Sequence, residues 1–455
     1  MRKQVLALAA ALAASGGASA GVLYFDYNSN RFGPGTPSLF LFGNAGQTAT
    51  VSNLAGFNQT VTLDANGFFN LGIAETYAQS GTGIRNTGFE VSSSQALAGY
   101  FINRKTFTTD MTYLLDDGAL GKNYVVASMG GGNGDGSQLA VHATADNTTV
   151  TITPRGSSAI TVTLNKGQTY KYAGGSTDLT GSTIVASEKV AVFSGHECAN
   201  VGGVPYCDNL LEQAIPTEKL SRNYLLTASK GAEITPQNRD LVRVIATADN
   251  TTVKVNGAVV ATLNRGDHHE FSLTEATGAQ VEASAPVAVA QYLVGGNGVR
   301  VAGGGTDPAL SYVPGQDTWL DAYRLATPSG EAAFVFNYAS IVIDTDDLGT
   351  LQLDGTAVDT SGFSAIGSTG YSRGIIDLPL GLFDLTADSS FLVMLGGGAN
   401  DDSYFTYGGS TFAPGISPPP PPPPPPGGVP LPGTLLLAMG ALAAMAGVQR
   451  RKAAR

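Results

Sequence analysis

The sequence predicts an all-β fold built from internally repeated units, and three observations carry that expectation. Glycine occupies 59 of 455 positions while only 13% of residues are charged. Apolar and polar residues alternate with period two between turn-forming clusters, and long helical patterns are absent between the two ends. Several segments then recur in the same order about a hundred residues later.

The recurrence is specific. "ATADNTTVTI" (Ala143 to Ile152) returns as "ATADNTTVKV" (Ala246 to Val255). "TLNKGQTYKY" (Thr163 to Tyr172) is answered by "TLNRGDHHEF" (Thr262 to Phe271), and "IVASEKVAVFSG" (Ile184 to Gly195) by "VEASAPVAVAQY" (Val281 to Tyr292). Upstream, "KNYVVAS" (Lys122 to Ser128) matches "RNYLLTAS" (Arg222 to Ser229). Fainter copies lie at Ser340 to Gly355 with Leu385 to Gly397, and at Thr60 to Leu71 with Phe89 to Phe101. The body therefore reads as about four units of roughly one hundred residues, with terminal copies degenerate because they cap an array.

Within a unit, "VRVIAT-ADN-TTVKVNG", "AVVATLN-RGD-HHEFSL" and "QVEAS-AP-VAVAQYL" read as three hairpins, with Asp249, Asn250 and Gly266 suited to positive φ. Sequential hairpins make a meander. The expected architecture is a β-propeller-like array of seven or eight blades, tandem β-sandwich modules being the alternative.

The ends set the compartment. "MRKQVLALAAALAASGGASA" has the charged start, apolar middle and small-residue site of a signal peptide over residues 1–20. The body spans 21–413 and a Pro/Gly-rich linker 414–428, where Pro418 to Pro426 form a semi-rigid spacer. The apolar segment 433–448 follows, marginal for a membrane span, and then Arg450, Arg451, Lys452 and Arg455 hold that end on the cytoplasmic side. Residues 429–455 resemble a PEP-CTERM sorting signal, with Pro430-Leu431-Pro432 standing where the family has Pro-Glu-Pro. That resemblance implies a bacterial cell-surface or extracellular location, transient inner-membrane anchoring through the tail, and an exosortase-type processing enzyme as partner. A retained tail anchor is the other reading.

The two ends hold six of the 25 basic residues and none of the 36 acidic ones, so the body is more acidic than the net −11 of the whole chain. An acidic body argues against nucleic acid and against anionic membrane surfaces as partners, leaving the C-terminal segment as the one membrane contact.

The only cysteines, Cys198 and Cys207, share "SGHECANVGGVPYCD" with His196 and Glu197. Outside the cytoplasm they are expected to pair as a disulfide closing a short loop, a metal site and a reactive thiol being the other readings. This stretch, continuing through "NLLEQAIPTEKLSRNYLLTA", and the "TADNTTVTI" segments resemble the IgGFc-binding protein N-terminal domain over roughly Tyr100 to Leu293. The resemblance implies a secreted, non-enzymatic binding or adhesion module with an extracellular protein or glycan as ligand. His196, Glu197, Asn200 and Asp208 are the candidate binding-loop residues.

Enzymatic motifs do not assemble: "HECAN" is not H-E-x-x-H, and neither G-x-S-x-G match, Gly17 to Gly21 or Gly370 to Gly374, leads into the helical pattern a nucleophile elbow needs. His268 and His269 are adjacent and would face opposite sides of a strand. No cofactor is expected, calcium excepted. Its candidate ligands are Asp344, Asp346, Asp347, Asp401 and Asp402, and "GGGNGDGS" around Asp135 is a single copy with the wrong spacing for a calcium repeat. The alternatives to a binding protein are a purely structural matrix protein and a polysaccharide-active enzyme on a propeller. The enzyme needs two carboxylates about 5–9.5 Å apart in one pocket.

Overall fold

The computed structural model describes residues 21–416 apart from 32, 133, 233–238, 296–306, 331–332 and 400–401. The expected signal peptide, the polyproline run and the sorting tail with Pro430, Leu431, Pro432, Arg450, Arg451 and Lys452 lie outside the described residues. Within these, no helix is long and apolar enough to cross a membrane. Packing continues a little past residue 413, because Ile416 bridges to Arg324.

Strands fall into four successive sets. They open with Gly21–Phe25, Gly121–Val125, Asn223–Leu226 and Leu320–Thr327, and close with Met111–Tyr113, Asp208–Gln213, Ala309–Tyr312 and Asp402–Tyr407. The fold is all-β and fourfold repeated, as expected. In the third unit one sheet runs Asn223–Leu226, Ala279–Ala283, Thr251–Val255, Ala258–Leu263, and the other His268–Leu273, Asp240–Ala246, Val287–Leu293, Ala309–Tyr312. The first unit repeats this order. In the second and fourth, single strands, Thr183–Ala199 and Gly381–Ala399, run through both sheets.

These are two-sheet modules, not meander blades. The three segments expected as hairpins are arches: Asp240–Ala246 and Thr251–Val255 lie in different sheets, as do the other two pairs. Their turns have the expected backbone, Asn250 at φ 55° and Gly266 at φ 83°, but left-handed residues serve an arch as well as a hairpin. The true hairpin joins Thr251–Val255 to Ala258–Leu263 through Asn256-Gly257, at φ 50° and 80°.

A tyrosine near the start of each of the last three units has a physical role in the crossing. Tyr124 Oη donates to Val190 O (2.6 Å) and accepts from Gly121 N (2.9 Å). Tyr224 does the same with Val287 O (2.6 Å) and Ser221 N (3.0 Å), and Tyr323 with Phe391 O and Leu320 N. Each buried hydroxyl pins the strand where it leaves one sheet for the other, in the second unit beside a register shift.

The four closing strands meet at the centre. Met111–Tyr113 packs against Asp208–Gln213, which packs against Ala309–Tyr312, then Asp402–Tyr407, which returns to Met111–Tyr113. The units thus close into a ring of four, rather than the seven or eight blades expected. Each inner strand is the edge of its own sheet. Its outward amides would be orphaned in a dry interior, at about 1–3 kcal/mol each.

Side chains take the place of a neighbouring strand. Asp110 accepts N–H groups from Met111, Leu211 and Leu310, each at 2.9 Å, and from Phe405, so one carboxylate gathers a donor from every unit. One layer along, Gln213 N donates to Thr112 Oγ1 (2.8 Å) and Tyr113 N to Thr406 Oγ1 (3.0 Å). Thr112 Oγ1 donates to Glu212 Oε1 (2.5 Å). On the other side Asp208 Oδ1 accepts Thr109 N (2.5 Å).

Burial pushes the carboxyl groups of Asp110, Asp208 and Glu212 well above their ordinary range, opposed at Asp110 by the four amides. Such groups bind more protons folded than unfolded between the ordinary and the raised value. Their contribution to stability is therefore present in acid and lost as pH rises.

Two outcomes follow from the axis. Asp110→Ala should cost at least about 3 kcal/mol in denaturant unfolding, since it orphans amides of several units together. Stability should fall between pH 5 and pH 8, and Glu212→Gln should flatten that slope, both read from urea midpoints across a pH series.

Candidate functional site

The segment Cys198 to Cys207 sits where the long strand Thr183–Ala199 turns back into the inner strand Asp208–Gln213. The two cysteines form a disulfide with Cα atoms 5.0 Å apart, as the compartment argument expected. Its base is fastened on both sides. His196 is fully buried; its Nε2 donates to Gly131 O (2.9 Å) and its Nδ1 accepts Cys198 N–H (2.9 Å). Burial lowers its pKa, so the ring is neutral at physiological pH.

Glu197 bridges two elements, accepting Ser29 Oγ (3.0 Å) from the first unit and Asp135 N (2.8 Å) from the glycine-rich loop. Asp135 in turn accepts Gly81 N on both carboxylate oxygens at 2.9 Å. The "GGGNGDGS" loop is therefore an anchored connection. Asn209 Nδ2 adds bonds to His196 O (3.0 Å) and Ser29 O (3.3 Å).

The four candidate binding residues separate accordingly. His196 and Asp208 have no exposure and hold the base and the axis. Glu197 is partly buried and committed to two hydrogen bonds. Asn200 alone is exposed.

Exposed beside it are Gly202, Gly203, Pro205 and Tyr206, the last 55% accessible and at φ 75°. A left-handed tyrosine costs roughly 1–3 kcal/mol and persists where its surroundings over-determine it; here it immediately precedes the disulfide-bonded Cys207. At the corresponding end of the adjacent inner strand Phe107 repeats the arrangement, 60% exposed at φ 63°. It borders a recess with Pro34, Thr36, Arg104 and Lys105, where Arg104 lies 4.5 Å from the Phe334 ring centroid and pairs with Asp402 (3.4 Å). Sequence reasoning missed both aromatics, because exposure and positive φ leave no mark in residue type.

The calcium candidates do not converge. Asp344 Oδ1 accepts Asp346 N (3.0 Å), a local cap on the turn Thr345–Thr350 that also carries Asp347. Asp402 is buried and engaged by Arg104 and by Thr109 Oγ1 (2.6 Å), while Asp401 lies outside the described residues. Among the described residues no group of three or more His, Cys, Asp or Glu is placed to hold a metal ion. His142 is core, with Tyr24 edge-on at 5.2 Å.

Opening the loop has a defined cost. Cys198→Ser should lower stability by about 2–3 kcal/mol on the chain-entropy model, measured by thermal or denaturant unfolding against the oxidised protein.

Comparison with known proteins places these features. A human protein named IgGFc-binding protein is 27% identical over 342 residues, which are 71% of this chain and 6% of that protein, so the chain spans a small part of its relative's length. Among solved structures, a Streptomyces avermitilis α-L-rhamnosidase complexed with L-rhamnose aligns at TM-score 0.14 and 9% identity, over 67% of this chain and 39% of that one. A tetra-tandem repeat from the extending region of a large adhesion protein aligns at TM-score 0.10 and 13% identity, over 83% and 92%. Values this low carry no argument. The family model described as IgGFc binding protein matches residues 110–397, from the axial Asp110 into the last long strand and well beyond Leu293, and the chain belongs to that family.

Proposed function

We infer that the protein is a secreted, non-enzymatic binding protein of the cell surface or extracellular matrix, sorted by its C-terminal segment and engaging a protein or glycan ligand through the disulfide-pinned tip. The carrying observation is Tyr206, an exposed aromatic at a left-handed φ immediately before the disulfide-bonded Cys207. An amphipathic ring fixed in place loses little entropy on contact, which suits it to stack on a sugar face or to anchor a protein surface. Phe107 extends the surface on the neighbouring inner strand.

Family membership supports the binding reading, and the acidic, low-charge body suits a matrix protein. The name of the human relative does not bring immunoglobulin with it, because ligand choice resides in surface loops grafted on a fold. The buried carboxylates Asp110, Asp208 and Glu212 are taken up by backbone donors, which favours binding over glycan cleavage.

Tyr206→Gly separates recognition from folding. It should leave thermal stability unchanged or slightly higher, since glycine relieves the left-handed strain, while capture of matrix polysaccharide and surface protein drops at least about tenfold. Retention of full capture by this variant would sink the assignment of the tip.

A further inference from the structure

The joint between the first and second units contains a buried amine that neither the fold nor the binding surface explains. Lys171 lies on the strand Thr169–Gly175 with no solvent exposure, opposite Ala140 and two residues along the same face from the Thr169–His142 pair. Around it, from the first unit, come Asp26, Asn28 and Gln79, and from the neighbouring strand Gln138 and His142, all at most 1% exposed. Among the described residues no carboxylate forms an ion pair with Lys171. Its Nζ donates instead to two amide oxygens, Asn28 Oδ1 at 3.1 Å and Gln138 Oε1. A charged ammonium held in this way is poorly compensated, and a neutral amine is a nucleophile.

We propose that Lys171 and Asn28 join in an intramolecular isopeptide bond that ties the first unit covalently to the second. The reacting groups are already in contact and shielded from water, the condition under which an intramolecular reaction gains most from proximity. Asn28 Nδ2, the leaving nitrogen, has no hydrogen-bond partner, whereas Gln138 Nε2 is held by Ser29 O (2.8 Å). The acid–base group is Asp26. A tight turn, with Asn28 N donating to Asp26 O at 3.1 Å, folds Asn28 back beside it, and Asp26 Oδ2 is buried without a partner. Its other oxygen is fixed by Thr169 Oγ1 (2.8 Å) and Gln79 Nε2 (3.1 Å).

The step balances without any external reagent. The Nζ lone pair adds to Cγ of Asn28, the Asp26 carboxylate takes a proton from Nζ and delivers it to Nδ2, the Cγ–Nδ2 bond breaks, and ammonia leaves. One amide has replaced another, with no change of oxidation state. Burial also drives the Lys171 pKa down to about 7, against the pull of Asp135, Asp26 and Glu197, so free amine is available at neutral pH. The bond would close a loop between residues 143 apart and, unlike Cys198–Cys207, would survive reductant.

Mass spectrometry of the purified full chain, reduced and digested with trypsin, decides the matter. The expected result is a chain lighter than its sequence by one ammonia, with a branched peptide joining the fragment ending at Arg31 to the one running from Gly167 to Lys189. Lys171→Met should restore the full mass, and Asp26→Asn should leave most of the chain unlinked. Four results overturn the proposal: a wild-type chain of full mass, cleavage after Lys171, ammonia loss confined to a linear peptide by ring closure at Asn28, or a branch ending on Gln138.

Discussion

Everything in this fold hangs on how four edge strands tolerate being at the centre. An edge strand normally faces water or a partner strand, because its outward N–H and C=O groups need a partner. Here the four inner strands turn those groups toward one another, and the spacing suits side chains better than a continuous sheet. Asp110 does the largest share, collecting amides from all four units. Thr112, Thr406, Gln213 and Asp208 take further amides one layer at a time, while Asp208 Oδ2, Glu212 Oε2 and Gln213 Nε2 are buried without a hydrogen-bond partner among the described residues. A polar interior is costly unless satisfied, so the amides gathered along this axis favour this arrangement of the units.

The interaction also explains why four similar units carry different residues at equivalent places. Asp110 fills one layer of the axis, so the first unit supplies that carboxylate while the others offer backbone to it, and the second unit supplies Asp208 and Glu212 to the adjoining layers. The joints between neighbours differ in the same way. Arg243 of the third unit reaches Asp178 (2.9 Å), Thr180 (2.7 Å) and Ser128 O (2.9 Å) of the second, where the second unit presents Lys171 to the first. The fourth closes on the first through Tyr404, Phe334 and Arg104. Divergence of the outer copies, expected as capping of an open array, is instead the signature of asymmetric joints in a closed one.

Much of the fold was legible in the residues, and the losses have a common cause. The repeat, the strand content, the positive-φ turns at Asn250 and Gly266 and the pairing of Cys198 with Cys207 all follow from local chemistry or compartment. What failed was the assignment of strands to sheets. A turn such as "ADN" reverses the chain equally well within a sheet or between two, and the choice is made by pairing with a distant strand, as for Ser137–Ala143, whose partners run from His196 back to Val190 in Thr183–Ala199. The burial of the candidate residues was equally illegible. His196 and Asp208 look like ligand-binding types, but their partners Gly131 and Thr109 are 65 and 99 residues away in sequence, and that distance hid their burial.

Ring closure has a consequence for how this protein can change over time. An open solenoid lengthens or shortens by whole repeats, since each new copy meets the same neighbour as the last. A ring whose units all donate to one axial carboxylate cannot: a fifth unit would widen the axis beyond the reach of Asp110, and a loss would leave its donors crowded or unpaired. Copy number is therefore frozen by the axis, and variation is diverted into the connections at its rim. Those are the connections that carry the exposed Phe107 and Tyr206, so the constraint that locks the interior leaves the rim as the part of the molecule free to vary.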